Sequence, residues 1–158
     1  MNETWRVLAI AAVIVAVIAY AVLSGLWVGT DSGWYRSLQQ PAWQPPPWVF
    51  GVIWPYNFVV LAVVSSVIAW RASVVQVGAL AVFLVFSIAS ALAWAYLFYV
   101  PHELTAAAIA LTAAAVLTIP IVLIAFLTGP VWGVLLVPYQ IWLGLAASLS
   151  WGYARLHG

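Results

Sequence analysis

Residues 34–54 read WYRSLQQPAWQPPPWVFGVIW. Four tryptophans, a tyrosine, a phenylalanine and four prolines crowd into this stretch, between two long apolar runs. A connection between membrane helices needs only a short polar hairpin, so this much aromatic surface implies a second use. Proline fixes φ and removes conformations the chain would otherwise lose on ordering, and Pro45–Pro47 lead stiffly into the run that follows. The stretch therefore reads as an ordered loop over residues 29–47 that packs on something beneath it.

The flanking sequence sets the class. The 158 residues are 68% hydrophobic and 4% charged, with a mean hydropathy of +1.17, too few polar groups to cover a soluble globule. An integral, multi-pass membrane protein is expected. An ionised side chain at the bilayer centre costs roughly 3 kcal/mol, so each charge marks an edge. Arg6, Asp31, Arg36, Arg71, Glu103 and Arg155 leave five apolar spans, Trp5–Val28, Trp48–Trp70, Val74–Val100, Leu104–Thr128 and Val131–Tyr153. Each meets the requirement of about 20 residues per crossing. The expected fold is all-α, one domain over residues 1–158: a single bundle of five transmembrane helices, with the long aromatic and proline-rich loop between the first and second. The uncharged run from Val7 to Thr30 exceeds the 7–15 residues or so of a signal-peptide core, so a retained helix is expected.

Local signals agree with these boundaries. Pro101 and Glu103 suit the positive start of the fourth span, while Gly129 and Pro130 stop it and begin the fifth. Pro55, Pro120 and Pro138 fall inside spans and predict kinks. Arg6 and Arg71 fall on one side of the membrane and Arg36 and Arg155 on the other, so the positive-inside rule returns a tie.

Several function classes drop out. A net charge of +1 gives no footprint for nucleic acid, and the absence of cysteine removes disulfide and thiolate chemistry. His102 and His157 are far apart in sequence, so no metal site is expected. Apart from Arg6 at the very start of the first, no acid, base or histidine lies within a span, whereas proton relays, ion pumps and voltage sensors need such groups at depth. The intramembrane polar inventory of Asn57, Gln76, Gln140 and scattered hydroxyls suits orientation of a largely apolar ligand.

Small residues supply the packing faces, because lipid is as apolar as leucine and close approach drives helix association. Ala106, Ala110 and Ala114, broadened by Ala107 and Ala115, form one in the fourth span. In the third span Ser87, Ala91 and Ala95 form one row and Ala89 and Ala93 another. Packing within the bundle and a homodimer through the third span are both open uses of such faces. Among the 11 tryptophans, Trp5, Trp27, Trp48, Trp70, Trp132 and Trp151 sit near span ends, as an interfacial belt requires. Trp54, Trp94 and Trp142 lie deeper. Phe50, Trp54 and Phe58 share a helix face, as do Trp94 with Phe98 and Trp142 with Ala146 and Ser150. Convergence of these three faces would make an aromatic pocket open toward the loop; ordinary aromatic core packing is the alternative.

These residues resemble a known family. Trp34, Tyr35, Leu38, Pro41, Trp43, Pro45, Pro46, Trp48, Phe50 and Trp54 are similar to the signature of the TspO/MBR family, the tryptophan-rich sensory proteins that include the mitochondrial translocator protein, or peripheral-type benzodiazepine receptor. WAYLFY at residues 94–99 and VPYQIWLGLAASLSW at residues 137–151 resemble its third-helix and fifth-helix segments, so the likeness spans essentially the whole chain.

The resemblance implies a five-helix bundle, often dimeric, that binds porphyrins, other tetrapyrroles or sterol-like molecules with no required cofactor. It implies a first loop acting as a lid over a pocket, with a role in tetrapyrrole regulation, transport or stress response. Trp54 and Trp142 match its pocket tryptophans, with Trp34, Tyr35, Trp43, Phe50 and Trp94 as further lining and Ala146 as a small pocket position; Phe58 and Phe98, from the shared helix faces, and Tyr139, beside Pro138, complete the ligand-binding candidates. Alternatives are light- and oxygen-dependent porphyrin degradation, with Trp54 and Trp142 as catalytic candidates, and a membrane assembly factor whose loop docks a partner. Arg36, Gln39, Gln40 and Gln44 are the candidate donors to porphyrin propionates, with a solvated loop face as the plain alternative. Ala91 and Ser150 stand where many relatives have asparagine, and Pro55 where a hydroxyl residue is usual, which implies a roomier, less polar pocket. Leu149, Tyr153 and Arg155 satisfy a proposed sterol pattern that chance matches often.

Overall fold

The computed structural model describes residues 2–157 as six helices, with no strand among them. They are α1 (Glu3–Val28), α2 (Ser32–Ser37), α3 (Pro47–Arg71), α4 (Val74–Tyr99), α5 (Leu104–Thr128) and α6 (Pro130–His157). All except α2 are long and apolar enough to cross a membrane. Asn2 caps α1, its side chain accepting from the Trp5 N–H at 3.0 Å, which starts the helix before the first apolar residue. Ser73 and Gln76 form a reciprocal capping box at α4. The last helix runs four residues beyond the predicted Tyr153, because hydrogen-bonded turns do not stop where the apolar pattern does. Pro55, Pro120 and Pro138 lie inside unbroken helices.

The expectation of a plain loop over residues 29–47 is corrected. Asp31 caps a six-residue helix there, its carboxylate accepting from the Trp34 N–H at 2.9 Å, and Arg36 closes it by donating to the Ser32 carbonyl at 3.0 Å. The long first loop is thus a short helix followed by a proline-rich strap.

The five long helices close a ring in the order α1, α4, α5, α6, α3 and back to α1. The tightest neighbours are α5 with α4 and α6. Leu111, Ala114, Thr118, Ile121 and Ala125 are all wholly buried on α5, and Ser87 of α4 shares a 2.8 Å hydrogen bond with the Thr118 hydroxyl. On α6, Gln140 donates to the Ala115 carbonyl at 2.9 Å and the Trp151 indole to Thr112 at 3.0 Å. At the α5–α6 turn, a Cβ on Gly133 would fall 2.2 Å from the Phe126 ring, so only glycine admits this approach. The row Ser87, Ala91, Ala95 faces inward, while Ala89 and Ala93 lie on the outer surface of α4.

At the end far from the first loop, Arg6 donates to the Ala69 and Trp70 carbonyls, tying the start of α1 to the end of α3. Arg71 lies 5.9 Å from the Trp132 ring centroid. Trp5 and Trp48 are 61% and 70% exposed, as belt residues should be.

Candidate ligand-binding cavity

Pro47, Phe50, Trp54 and Phe58 line one side of α3 at helical spacing. Trp54 stacks on Phe58, with centroids 5.7 Å apart and planes at 26°. The Trp142 ring of α6 stands edge-on to both Trp54 (6.2 Å, 88°) and Phe50 (5.3 Å, 78°). Phe98 of α4 meets Tyr153 of α6 edge-on at 5.5 Å, and Tyr20 of α1 meets Phe58 at 5.0 Å. Perpendicular pairs let the positive edge of one ring face the negative face of the next, worth about 0.5–1.5 kcal/mol each beyond burial. These rings do not fill the space between them. They wall a cavity of about 600 Å³ bounded by α1, α3, α4, α6 and the first loop, within the range of small-molecule sites. No α5 residue lines it.

The predicted residues divide in two. Tyr35, Phe50, Trp54 and Phe58 line the cavity, as do Trp94, Phe98, Trp142 and Ala146. Trp34, Trp43 and Tyr139 do not. Trp34 stacks flat on His102, 3.7 Å between centroids at 10°, and rests edge-on against Phe98, so it fastens α2 to the α4–α5 connection. Trp43 is half exposed, and its indole donates to the Ser148 hydroxyl at 3.2 Å on the outside of α6. Tyr139 is buried in the core, a turn further from the loop than Trp142.

The sequence reading missed one wall. Tyr20, Ala21, Ser24, Gly25 and Val28 of α1 line the cavity. The available signal was Tyr20, the lone ring between Trp5 and Trp27, followed by small residues at helical spacing. The sterol-pattern residues do not share a face. Leu149 and Tyr153 line the cavity, whereas Arg155 is exposed.

Polar groups gather at the loop end. Arg36, Gln40 and Gln44 line the cavity there, and Arg36 is the one charged residue in its wall among the described residues. Gln39 does not line it; its carbonyl faces the His157 ring at 3.1 Å. Gln44 accepts from the Tyr153 hydroxyl, which also approaches the Tyr35 hydroxyl at 3.4 Å. Pro41 is buried against Gly152 of α6. Ala91 and Ser150 line the wall where asparagine would narrow it.

Fold and site together define a class: a polytopic α-helical membrane protein with an aromatic cavity roofed by its first loop. The chain belongs to the TspO/MBR family, whose model matches residues 9–156. It is similar to the tryptophan-rich sensory protein of Cereibacter sphaeroides, 31% identical over 125 residues, covering 78% of this chain and 77% of that one. Protein CrtK of Rhodobacter capsulatus is 25% identical over 129 residues, 81% of each chain. The uncharacterized membrane protein YtaB of Bacillus subtilis is 27% identical over 143 residues, 89% of this chain and 92% of that one.

Proposed function

We propose that the cavity binds a porphyrin or another flat tetrapyrrole, and that the protein is a membrane receptor or translocator acting in tetrapyrrole regulation, transport or stress response. The observation that carries this reading is the Trp54, Phe58 and Trp142 arrangement, two stacked rings and a third edge-on around open space. A planar π-system gains from such surfaces while leaving water. Arg36, Gln40 and Gln44 at the loop end supply donors for carboxylates on the ligand's wet edge, and the first loop serves as the lid. A sterol-like ligand would use the same walls and leave Arg36 without a counter-charge. The exposed Ala89 and Ala93 on α4 are the face offered to a second copy in a homodimer, with lipid around the rest.

The absorption spectrum of protein purified from its membrane tests the reading. A Soret band that co-elutes with the protein supports it; no band, together with no tetrapyrrole binding on addition, sinks it.

Light- and oxygen-dependent porphyrin degradation is a second reading, favoured by the placement of two oxidisable indoles, Trp54 and Trp142, in the same wall. It predicts loss of porphyrin absorbance in light and oxygen, with a defined product, faster than free porphyrin bleaches.

A further inference from the structure

The roof of the cavity is fastened and one of its sides is not. Trp34 is stacked on His102 at 3.7 Å, and Thr30 donates to the Tyr99 carbonyl at 3.3 Å, holding the start of the first loop on α4 and the turn after it. Trp43 on Ser148, Gln44 on Tyr153, Gln39 on His157 and Pro41 in the notch at Gly152 hold the rest on α6. Lifting this roof would break all of these contacts together.

Between α1 and α3 the arrangement differs. The two helices are joined by Arg6 at one end and by the Tyr20–Phe58 edge contact near the middle. Beyond that contact, toward the loop, no hydrogen bond or ring contact among the described residues links them. There α1 leans on α4, through Trp27 on Tyr96 at 5.7 Å, while α3 leans on α6, through Phe50 and Trp54 on Trp142. Gly25 and Val28 of α1 and Pro47 of α3 both line the cavity and are exposed, as are Arg36 and Gln40 of the loop. A Cβ on Gly25 or Gly51 would meet nothing within 4 Å. Exposed lining residues therefore stand on both α1 and α3 at the depth of the helix ends, with a guanidinium and an amide of the loop beside them.

We propose that the cavity is loaded laterally from the membrane, through the gap between the second half of α1 and the first turns of α3. The molecule that uses this route is an acidic amphiphile already dissolved in the leaflet, its apolar body passing Gly25 and Gly51 and its carboxylate held at the headgroup boundary by Arg36. The first loop is then a fixed roof during loading. The inference rests on the cavity being a ligand site, as proposed above.

The absence of native cysteine allows a direct test. The double variant Pro41→Cys with Gly152→Cys cross-links roof to α6, since the Cβ of residue 152 falls 3.0 Å from that of Pro41 and a small relaxation gives disulfide geometry. Gly25→Trp in α1 and Gly51→Trp in the first turns of α3, made separately, probe the two sides of the proposed route. Protoporphyrin pre-dissolved in lipid vesicles is mixed with each protein in lipid nanodiscs, and tryptophan quenching reports both rate and equilibrium binding. Lateral loading predicts that the oxidised cross-linked protein loads as fast as its reduced form. It also predicts that the glycine variants slow association and dissociation together by about tenfold or more, with a smaller change in Kd. Loading abolished by the cross-link, or unchanged rates in both glycine variants, overturns the proposal while binding itself stands. Absence of binding in every protein, the parent included, removes the ligand-site reading and this inference with it.

Discussion

Pro41 sits in a notch that only glycine can leave open: a Cβ at residue 152 would lie 2.6 Å from the Pro41 ring and 3.0 Å from the Trp43 indole. Gly152→Leu is expected to push the strap off α6 while leaving the helical bundle intact, because the clash is with the loop and not with another long helix. Overpacking of this kind costs typically 1–3 kcal/mol, roughly. Limited proteolysis within residues 38–46 should accelerate and tetrapyrrole affinity should fall about tenfold, with thermal stability of the bundle little changed. Unaltered protease resistance would contradict the notch.

Arg36 is exposed and carries the only charge in the cavity wall among the described residues. Arg36→Gln should weaken protoporphyrin binding about two- to fivefold, the scale of an exposed ion pair, and the loss should shrink as salt is raised. The dimethyl ester of the same porphyrin, which has no carboxylate, should bind parent and variant alike. Equal losses for acid and ester would show that Arg36 acts through loop structure instead.

Ala146 lies on the cavity wall one turn from Trp142 and one turn from Ser150. Ala146→Phe directs a ring into open space and not into a filled core, so the protein should fold with near-parental stability. A ligand in such a site buries most of its surface, so affinity should drop by at least about tenfold. Calorimetry with and without ligand separates the two effects.

Helix α5 is a scaffold for the site and not part of it, since it packs against α4 and α6 and lines no part of the cavity. Thr118→Val removes the hydroxyl bonded to Ser87 and to the Ala114 carbonyl. The expected cost is about 0.6–1.7 kcal/mol, the range for polar contacts between membrane helices. Ligand affinity should stay within about twofold, since distant independent sites do not couple.

Much of this was legible in sequence, for a physical reason. Charges are excluded from the bilayer centre, so Arg6, Arg71 and Glu103 bracketed helices that begin or end within a few residues of them. Trp54, Trp94 and Trp142 stood too deep for an interfacial belt, and all three line the cavity. What was not legible is the side to which a residue turns. Trp34 and Trp43 carry the same chemistry as Tyr35, yet they clamp the loop from outside, because a loop ring can face either way with no period to fix it. Tyr139 is three residues from Trp142, and on a helix that rotation is enough to move it from the cavity to the core. The α1 wall was hidden because an aliphatic helix shows no amphipathic stripe in lipid, leaving Tyr20 as its only marker. Helix α2 was hidden in plain view: Asp31 before Ser32 and Arg36 at the following turn are its cap and its clasp.

The pocket formed by Trp54 and Trp142 is the central claim, and equilibrium titration of protoporphyrin into the parent, Trp54→Phe and Trp142→Phe tests it most directly. Loss of an indole edge that packs at 6.2 Å on its partner predicts affinity reduced by about three- to tenfold in each variant, the scale of one aromatic contact. Parental affinity in both variants would contradict the account.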